Sequence, residues 1–294
     1  MKPLPVVAIT GANGYVGSVI ANALKSDARV LGLVRAPDGP DQIMWSFDTD
    51  PERLSRRLRD NGVTHLIHAA WDMKATSLPQ LEQTCVNGSR NLFTAARSAG
   101  IQELIFISSI SAFHGARSAY GRSKLEVEAT ALQAGGLVLR LGLVYGELDG
   151  GLFGNLRRVV RTSRFVPVIG DGKKPQYLLH ERALGHVVRC AVQGLFAGEI
   201  NPITLAHPQA VKFKDILLHI AAEEGRSVSL VPVPWTILYV ALWSAEQLGL
   251  RPNFRSDSIL SFVFQNDAPD FGQIRRHGIE PSGFGTIGHK PLLN

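Results

Sequence analysis

An α/β fold, a doubly wound parallel sheet with helices on both faces, is what this sequence predicts, on three observations. Short apolar runs alternate with helical patterns as far as Tyr145, the first run ends in a cluster of glycines, and the runs lack the polar alternation of a half-exposed strand. Strands buried on both faces belong to parallel sheets, whose crossovers are helices.

Val6-Val7-Ala8-Ile9-Thr10 is the first such run and reads as a buried strand. Val16, Val19, Ile20, Ala23 and Leu24 recur behind it at helical spacing, and Arg29-Val30-Leu31-Gly32-Leu33-Val34 reads as the second strand. Further strands are expected over 64–70, 103–108 and 137–144, with helices over 51–60, 81–99 and 120–134. After Tyr145-Gly146 the rhythm changes. A glycine turn at Gly150-Gly151, helices near 152–161 and 181–195, and short strands near 203–206 and 228–233 predict a smaller C-terminal α+β region. Residues 1–146 thus read as the nucleotide-binding part carrying the chemistry, and 147–294 mainly as a substrate-binding region, with some segments returning to the first. The apolar stretch 231–245 is too short to span a bilayer and reads first as a buried helix, then as a helix lining an apolar pocket or touching a membrane surface.

The 294 residues carry 31 Lys and Arg against 25 Asp and Glu, a net charge of +6, but the basic residues are scattered. The densest groups, 53–57 and Arg157-Arg158 to Arg164, lie on helical patterns and read as solvated faces; no nucleic-acid partner is expected. Cys85 and Cys190 lie far apart in apolar helical contexts, which predicts free thiols in a reducing compartment. His65 and His68 have no further ligands at metal-site spacing. The first strand follows Met1-Lys2-Pro3 without room for a signal peptide, so a cytoplasmic protein without a transmembrane segment is expected.

Thr10-Gly11-Ala12-Asn13-Gly14-Tyr15-Val16-Gly17 joins the first strand to the first helix. Glycines allow a tight turn and close approach to a pyrophosphate, and the helix start offers free N–H groups at the positive end of its dipole. Gly11, Asn13, Gly14, Tyr15, Val16 and Gly17 are therefore candidate cofactor contacts. The end of the second strand separates the two dinucleotides, since an acid there bonds a ribose 2′-hydroxyl and an arginine pairs with a 2′-phosphate. Arg35 stands there and no acid precedes Asp38, which favours NADP(H); NAD(H) remains if another residue handles the ribose.

Tyr120 and Lys124 occupy i and i+4 of a predicted helix and share one face. In isolation they read as a surface pair. Behind a nucleotide loop they suggest acid–base chemistry, because lowering a phenol from ~10 by roughly three units costs about 4 kcal/mol, which a nearby ammonium supplies.

These motifs are joined in order by Asp48-Thr49 after an expected third strand, His68-Ala69-Ala70, Asn87 in Val86-Asn87-Gly88-Ser89-Arg90-Asn91-Leu92, Ser108-Ser109, and Arg140-Leu141-Gly142-Leu143-Val144-Tyr145-Gly146. The set resembles the extended short-chain dehydrogenase/reductase superfamily, in its NAD-dependent epimerase/dehydratase branch, over nearly the whole chain. That resemblance implies a Rossmann-type fold and hydride transfer to or from a keto or hydroxy carbon, on a nucleotide sugar. It implies Tyr120 as the acid–base, Lys124 as the group that lowers its pKa and binds the nicotinamide ribose, and Ser109 as the partner of the substrate oxygen, with Ser108 and Ser111 as rivals. Asp48 would reach the adenine, Ala69 and Ala70 would line the cofactor, and Asn87 would be a structural or proton-relay residue; local capping is the alternative for Asp48 and Asn87. A homodimer is a further expectation.

Three departures bear on the substrate. The loop from Ser109 to Tyr120 is short, His180-Glu181-Arg182-Ala183 stands where relatives carry an Asp, and only Arg251 and Arg255 offer themselves as a diphosphate clamp. The Trp235 to Trp243 stretch favours an alternative, a reductase or dehydrogenase of an apolar ketone or alcohol, steroid-like or phenolic. A non-catalytic dinucleotide-binding subunit is the third reading.

Overall fold

The computed structural model describes residues 3–75, 77–101, 103–250, 252 and 254–285. Its first half follows the predicted alternation: β1 (Val6–Thr10), α1 (Tyr15–Leu24), β2 (Arg29–Val34), β3 (Gln42–Met44), α2 (Pro51–Asp60) and β4 (His65–His68). Asp50 caps α2 by accepting from Arg53 N at 2.8 Å, and Pro51 at the first helical position costs no hydrogen bond. The helix expected over 81–99 is interrupted: α3 (Leu78–Leu81) runs into a π-helical turn (Glu82–Val86) before α4 (Asn87–Ser98). β5 (Glu103–Ser109), α5 (Ala119–Gln133) and β6 (Leu137–Leu141) complete this half.

The strand expected over 137–144 is two. β6 pairs with β5, whereas β7 (Leu143–Tyr145) starts a second sheet with β10 (Leu178–His180). Gly142 is the switch: its N–H goes to Leu205 O and that of Leu143 to Tyr177 O, and a Cβ on Gly142 would lie 2.4 Å from Tyr177 O. The remaining elements are α6 (Gly151–Thr162), β8 (Phe165–Ile169), β9 (Pro175–Gln176), α7 (Glu181–Val192), β11 (Ile203–Leu205), β12 (Val211–Lys212), α8 (Phe213–Glu223), β13 (Ser229–Val233), α9 (Trp235–Gln247), α10 (Ser256–Val263) and α11 (Gly272–Arg276).

Seven parallel strands form the main sheet in the order β11-β6-β5-β4-β1-β2-β3, so β11 returns from the second half of the chain. α1 and α7 cover one face, packing Val19, Ile20, Leu24, Leu184 and Val187 on the sheet. α2, α4 and α5 cover the other with Leu54, Leu58, Phe93 and Val127. A third core joins α6 and α8 to β7, β8 and β10 through Phe153, Val160, Leu178 and Ile216. The strand order reverses between β1 and β4, the crevice where doubly wound sheets bind ligands.

The buried helix expected over 231–245 is not buried. α9 has no buried residue, and Ile237, Val240 and Trp243 are 59%, 56% and 47% exposed. Both faces of the main sheet are already covered, so α9 rests on α10 from outside. No helix among the described residues is long and apolar enough to cross a membrane.

Candidate active site

The glycine loop closes on itself. Gly14 N donates to Gly11 O at 2.8 Å, and a Cβ on Gly17 would sit 2.0 Å from that same oxygen. Gly11 has φ +70°, and a Cβ there would meet the Ala70 backbone at 2.9 Å. No side chain caps α1, whose first N–H groups follow directly from this cradle. Glycine-only backbone, an uncapped helix start and the adjoining Ala69 and Ala70 fit a dinucleotide pyrophosphate. Tyr15 turns elsewhere: its hydroxyl donates to Glu181 Oε2 at 3.1 Å, its ring packs on Gly150 and Gly151, and burial pushes its pKa up.

A buried relay ties this loop to β4. Thr10 Oγ1 accepts the N–H groups of Ala69 and Ala70, both at 3.1 Å, so its own proton goes to His68 Nδ1 at 2.7 Å. The His68 ring then carries its proton on Nε2 and donates to Ser89 Oγ at 2.7 Å. Burial, and secondarily the Lys124 charge, holds His68 well below its ordinary pKa and keeps it neutral.

Tyr120, Lys124 and Ser109 come together beyond β5. The Ser109 hydroxyl accepts from Ser111 N at 3.2 Å and works against the rise in the Tyr120 pKa. Ser108 points into the opposite face, donating to Glu128 Oε1 at 2.5 Å, and Glu128 in turn holds Arg140 at 2.6 Å. Lys124 Nζ donates to Ile107 O at 2.7 Å and lies 4.0 Å from the centre of the Trp71 ring and 4.6 Å from that of Phe106. Burial lowers Lys124 to about 7, against the nearby Cys85 and Glu128.

Burial raises Tyr120 to about 12, with the Ser109 hydroxyl pulling the other way. The ammonium is directed at a backbone carbonyl and two rings, 5.9 Å from the centre of the Tyr120 ring. Desolvation of the phenol therefore outweighs the neighbouring groups.

Other predicted residues lie apart from this cluster. Arg35 is exposed just beyond β2. Asp48 is exposed and accepts from the Ser46 hydroxyl, which lowers its pKa; Asn87 is exposed and its Oδ1 accepts from Arg90 Nη1 at 2.8 Å. Arg255 is directed at backbone carbonyls of the loop after β4, Met73 O at 3.3 Å and Ala75 O, rather than offered as a clamp; Arg251 lies outside the described residues.

The sequence reading missed Trp71 and Asp257. Trp71 stands edge-on to Tyr120, 5.8 Å between ring centres at 84°, and its buried Nε1 has no partner among the described residues. Its position directly after His68-Ala69-Ala70 was an available signal. Asp257 reaches the start of α5 from the distant α10, and no local pattern announces it. A cavity of 290 Å³ opens beside Ile110, Phe113 and Arg140, and another of 690 Å³ lies between α2 and α4; neither is lined by Tyr120, Ser109 or Lys124. Among the described residues no cluster of His, Cys, Asp or Glu could hold a metal ion.

A family model described as the NAD dependent epimerase/dehydratase family matches residues 7–199. A ceramide reductase of Caulobacter vibrioides is 31% identical over 204 residues, 65% of this chain and 63% of that protein. Cinnamoyl-CoA reductase 1 of Oryza sativa subsp. japonica is 30% identical over 122 residues, 37% of this chain and 36% of that protein. The chain thus spans less than two thirds of the length of these curated relatives. Among solved structures, a UDP-glucose 4-epimerase of Thermotoga maritima has the same fold, with a TM-score of 0.69 at 18% identity over 94% of this chain and 93% of that one.

Proposed function

This chain belongs to the NAD-dependent epimerase/dehydratase family and is an NAD(P)-dependent enzyme; from that premise we propose that it is an NADP(H)-preferring reductase acting on a carbonyl of an apolar substrate. The observation that carries the reading is the setting of Tyr120, a phenol that stands edge-on to the Trp71 ring at 5.8 Å between centres and one helical turn from Lys124. A protonated phenol so placed suits donation to a carbonyl oxygen during reduction.

When bound, the nicotinamide cofactor supplies the hydride. The glycine loop and the start of α1 would hold its pyrophosphate, Arg35 would pair with a 2′-phosphate, Ala69 and Ala70 would line it, and Lys124 would bond the nicotinamide ribose. Asp48 and Asn87 are assigned the adenine side and a supporting role at α4. Ser109 donates to the substrate oxygen and Tyr120 hands it a proton, so carbon gains a hydride while oxygen gains a proton and no alkoxide is stranded. Residues 1–146 would carry this chemistry and 147–294 would shape the substrate site.

Apolar substrates are supported by the Trp71 ring beside the phenol, by the commitment of Arg255 to carbonyls, and by the ion pairs that hold Arg157 and Arg161 to Asp149 and Glu224. The names of the curated relatives, reductases of ceramide and cinnamoyl-CoA, point the same way. A nucleotide sugar, the expectation carried by the family resemblance, is the competing substrate. Tyr120→Phe should cut turnover on an aldehyde or ketone panel by about 10²–10⁴-fold while leaving NADPH affinity intact. Turnover unchanged in that variant overturns the proton-donor role. Protection of the native protein against heat by UDP, GDP or dTDP, without turnover of apolar carbonyls, replaces the apolar substrate with a nucleotide sugar. Cofactor binding without turnover of any compound tried would instead indicate a non-catalytic subunit.

A further inference from the structure

Resting on the reading of Tyr120 as proton donor, we infer that Asp257 is a positioning residue that holds this tyrosine in register from the C-terminal region. Tyr120 lies in the first turn of α5, where N–H groups have no helical carbonyl and where helices open most readily. A proton donor placed there needs an external anchor.

Asp257 provides one. Its Oδ1 accepts Ala119 N at 2.7 Å and its Oδ2 accepts Tyr120 N at 3.0 Å, while Ser118 Oγ accepts Gly121 N at 3.1 Å. The carboxylate is 7% exposed and faces the positive end of the helix dipole. Two charge-assisted bonds from one rigid group restrict both the translation and the rotation of the turn. On the other side, a Cβ on Gly121 would sit 2.2 Å from Ser111 O, so the turn has no room to slide away. Ser118 by itself would cap an ordinary helix. Burying a second acceptor that bears full charge is costly unless its bonds are needed.

The neighbours of Asp257 extend the anchor. Ser256 N and Oγ donate to Glu246 of α9 at 2.9 and 2.6 Å, and Arg255 holds the loop that follows Trp71. Residues 255–257 thereby join α9, the loop beside the phenol and the first turn of α5.

Asp257→Ala and Asp257→Asn, compared with the unaltered full chain, test the inference. In Asp257→Ala, amide hydrogen exchange at residues 119–121 should quicken by about tenfold, the equivalent of one lost cap, with the rest of α5 unchanged. kcat should fall about 10–100-fold while KM for NADPH and for the carbonyl stays within about twofold, because a displaced donor slows chemistry rather than binding. Asp257→Asn, which keeps one acceptor, should fall between; if the alanine variant does not fold, this one carries the test. Wild-type exchange at 119–121 together with wild-type kcat overturns the inference, as does a loss of melting temperature with kcat intact. Tyr120→Phe reports separately on the underlying reading: if turnover survives it, the proton-donor role fails while the exchange result still decides whether Asp257 anchors the turn.

Discussion

Ser108 donates to Glu128 inside a buried network that ends on Arg140, whereas Ser109, next along β5, accepts from Ser111 N and bears on the pKa of Tyr120. Successive strand residues face opposite sides, so two serines identical in sequence context acquire different work. Ser108→Ala should cost about 1–3 kcal/mol of stability with kcat unchanged, since it leaves buried groups short of a partner. Ser109→Ala should cost little stability and lower kcat by about 10–10²-fold. Urea unfolding and steady-state kinetics on both variants separate them, and the reverse pattern would make Ser108 the substrate partner. On the proposed reading of Arg35, Arg35→Asp should weaken NADPH more than NADH in fluorescence titrations, and an unchanged ratio would remove the 2′-phosphate argument. The residue types at the site were legible, including Tyr120, Lys124 and the glycines. Their ionisation was not, because Trp71 and Phe106, which pack on Lys124, and Trp71, which also meets Tyr120, come from separate elements.

Among the elements, the join between β1 and α1 is the most tightly specified. A Cβ at Gly17 would press on a backbone oxygen that cannot move without opening the Gly11–Gly14 turn. Gly17→Ala should destabilise the protein by about 1–3 kcal/mol and weaken NADPH binding, read by thermal melting and titration. Unchanged affinity would mean that the loop does not cradle the cofactor. Elements with strong periodicity or caps, such as β2 and α2, match their expected bounds. Two misreadings share a cause. The apolar period of 137–144 runs on through Gly142, but contacts with Tyr177 and Leu205 pull the chain into another sheet. The period of α9 is that of a buried helix, but the sheet faces it would cover already belong to α1, α7, α2, α4 and α5.

At the level of the whole molecule, burial of titratable groups predicts how stability follows pH. His68 is held well below 6.5, so the unfolded chain binds the extra proton below that value and stability falls as pH drops through it. Lys124 is lowered from 10.5 to about 7; above about 7 the unfolded chain again holds more protons, and stability rises with pH. Cys85, raised above 9.0, and Tyr120, raised from 10.0 to about 12, act in the opposite sense once the unfolded groups ionise. Stability should therefore climb from about pH 7 to 9 and decline above 10. Denaturant melts across this range check it, and Lys124→Met should flatten the climb; a climb that persists in that variant would place its origin elsewhere.

The sequence by itself determined the parallel sheet with its alternating helices, and it offered the glycine loop and the candidate pair Tyr120 and Lys124, because each rests on neighbours within a few turns of chain. Only the tertiary structure decided that Ser108 turns to Glu128 while Ser109 does not, that burial raises the pKa of the phenol, that α9 lies outside the core, and that Asp257 accepts from Tyr120 N across a separation of 137 residues. Those outcomes depend on desolvation and on hydrogen bonds between distant segments, and neither is written in any local pattern.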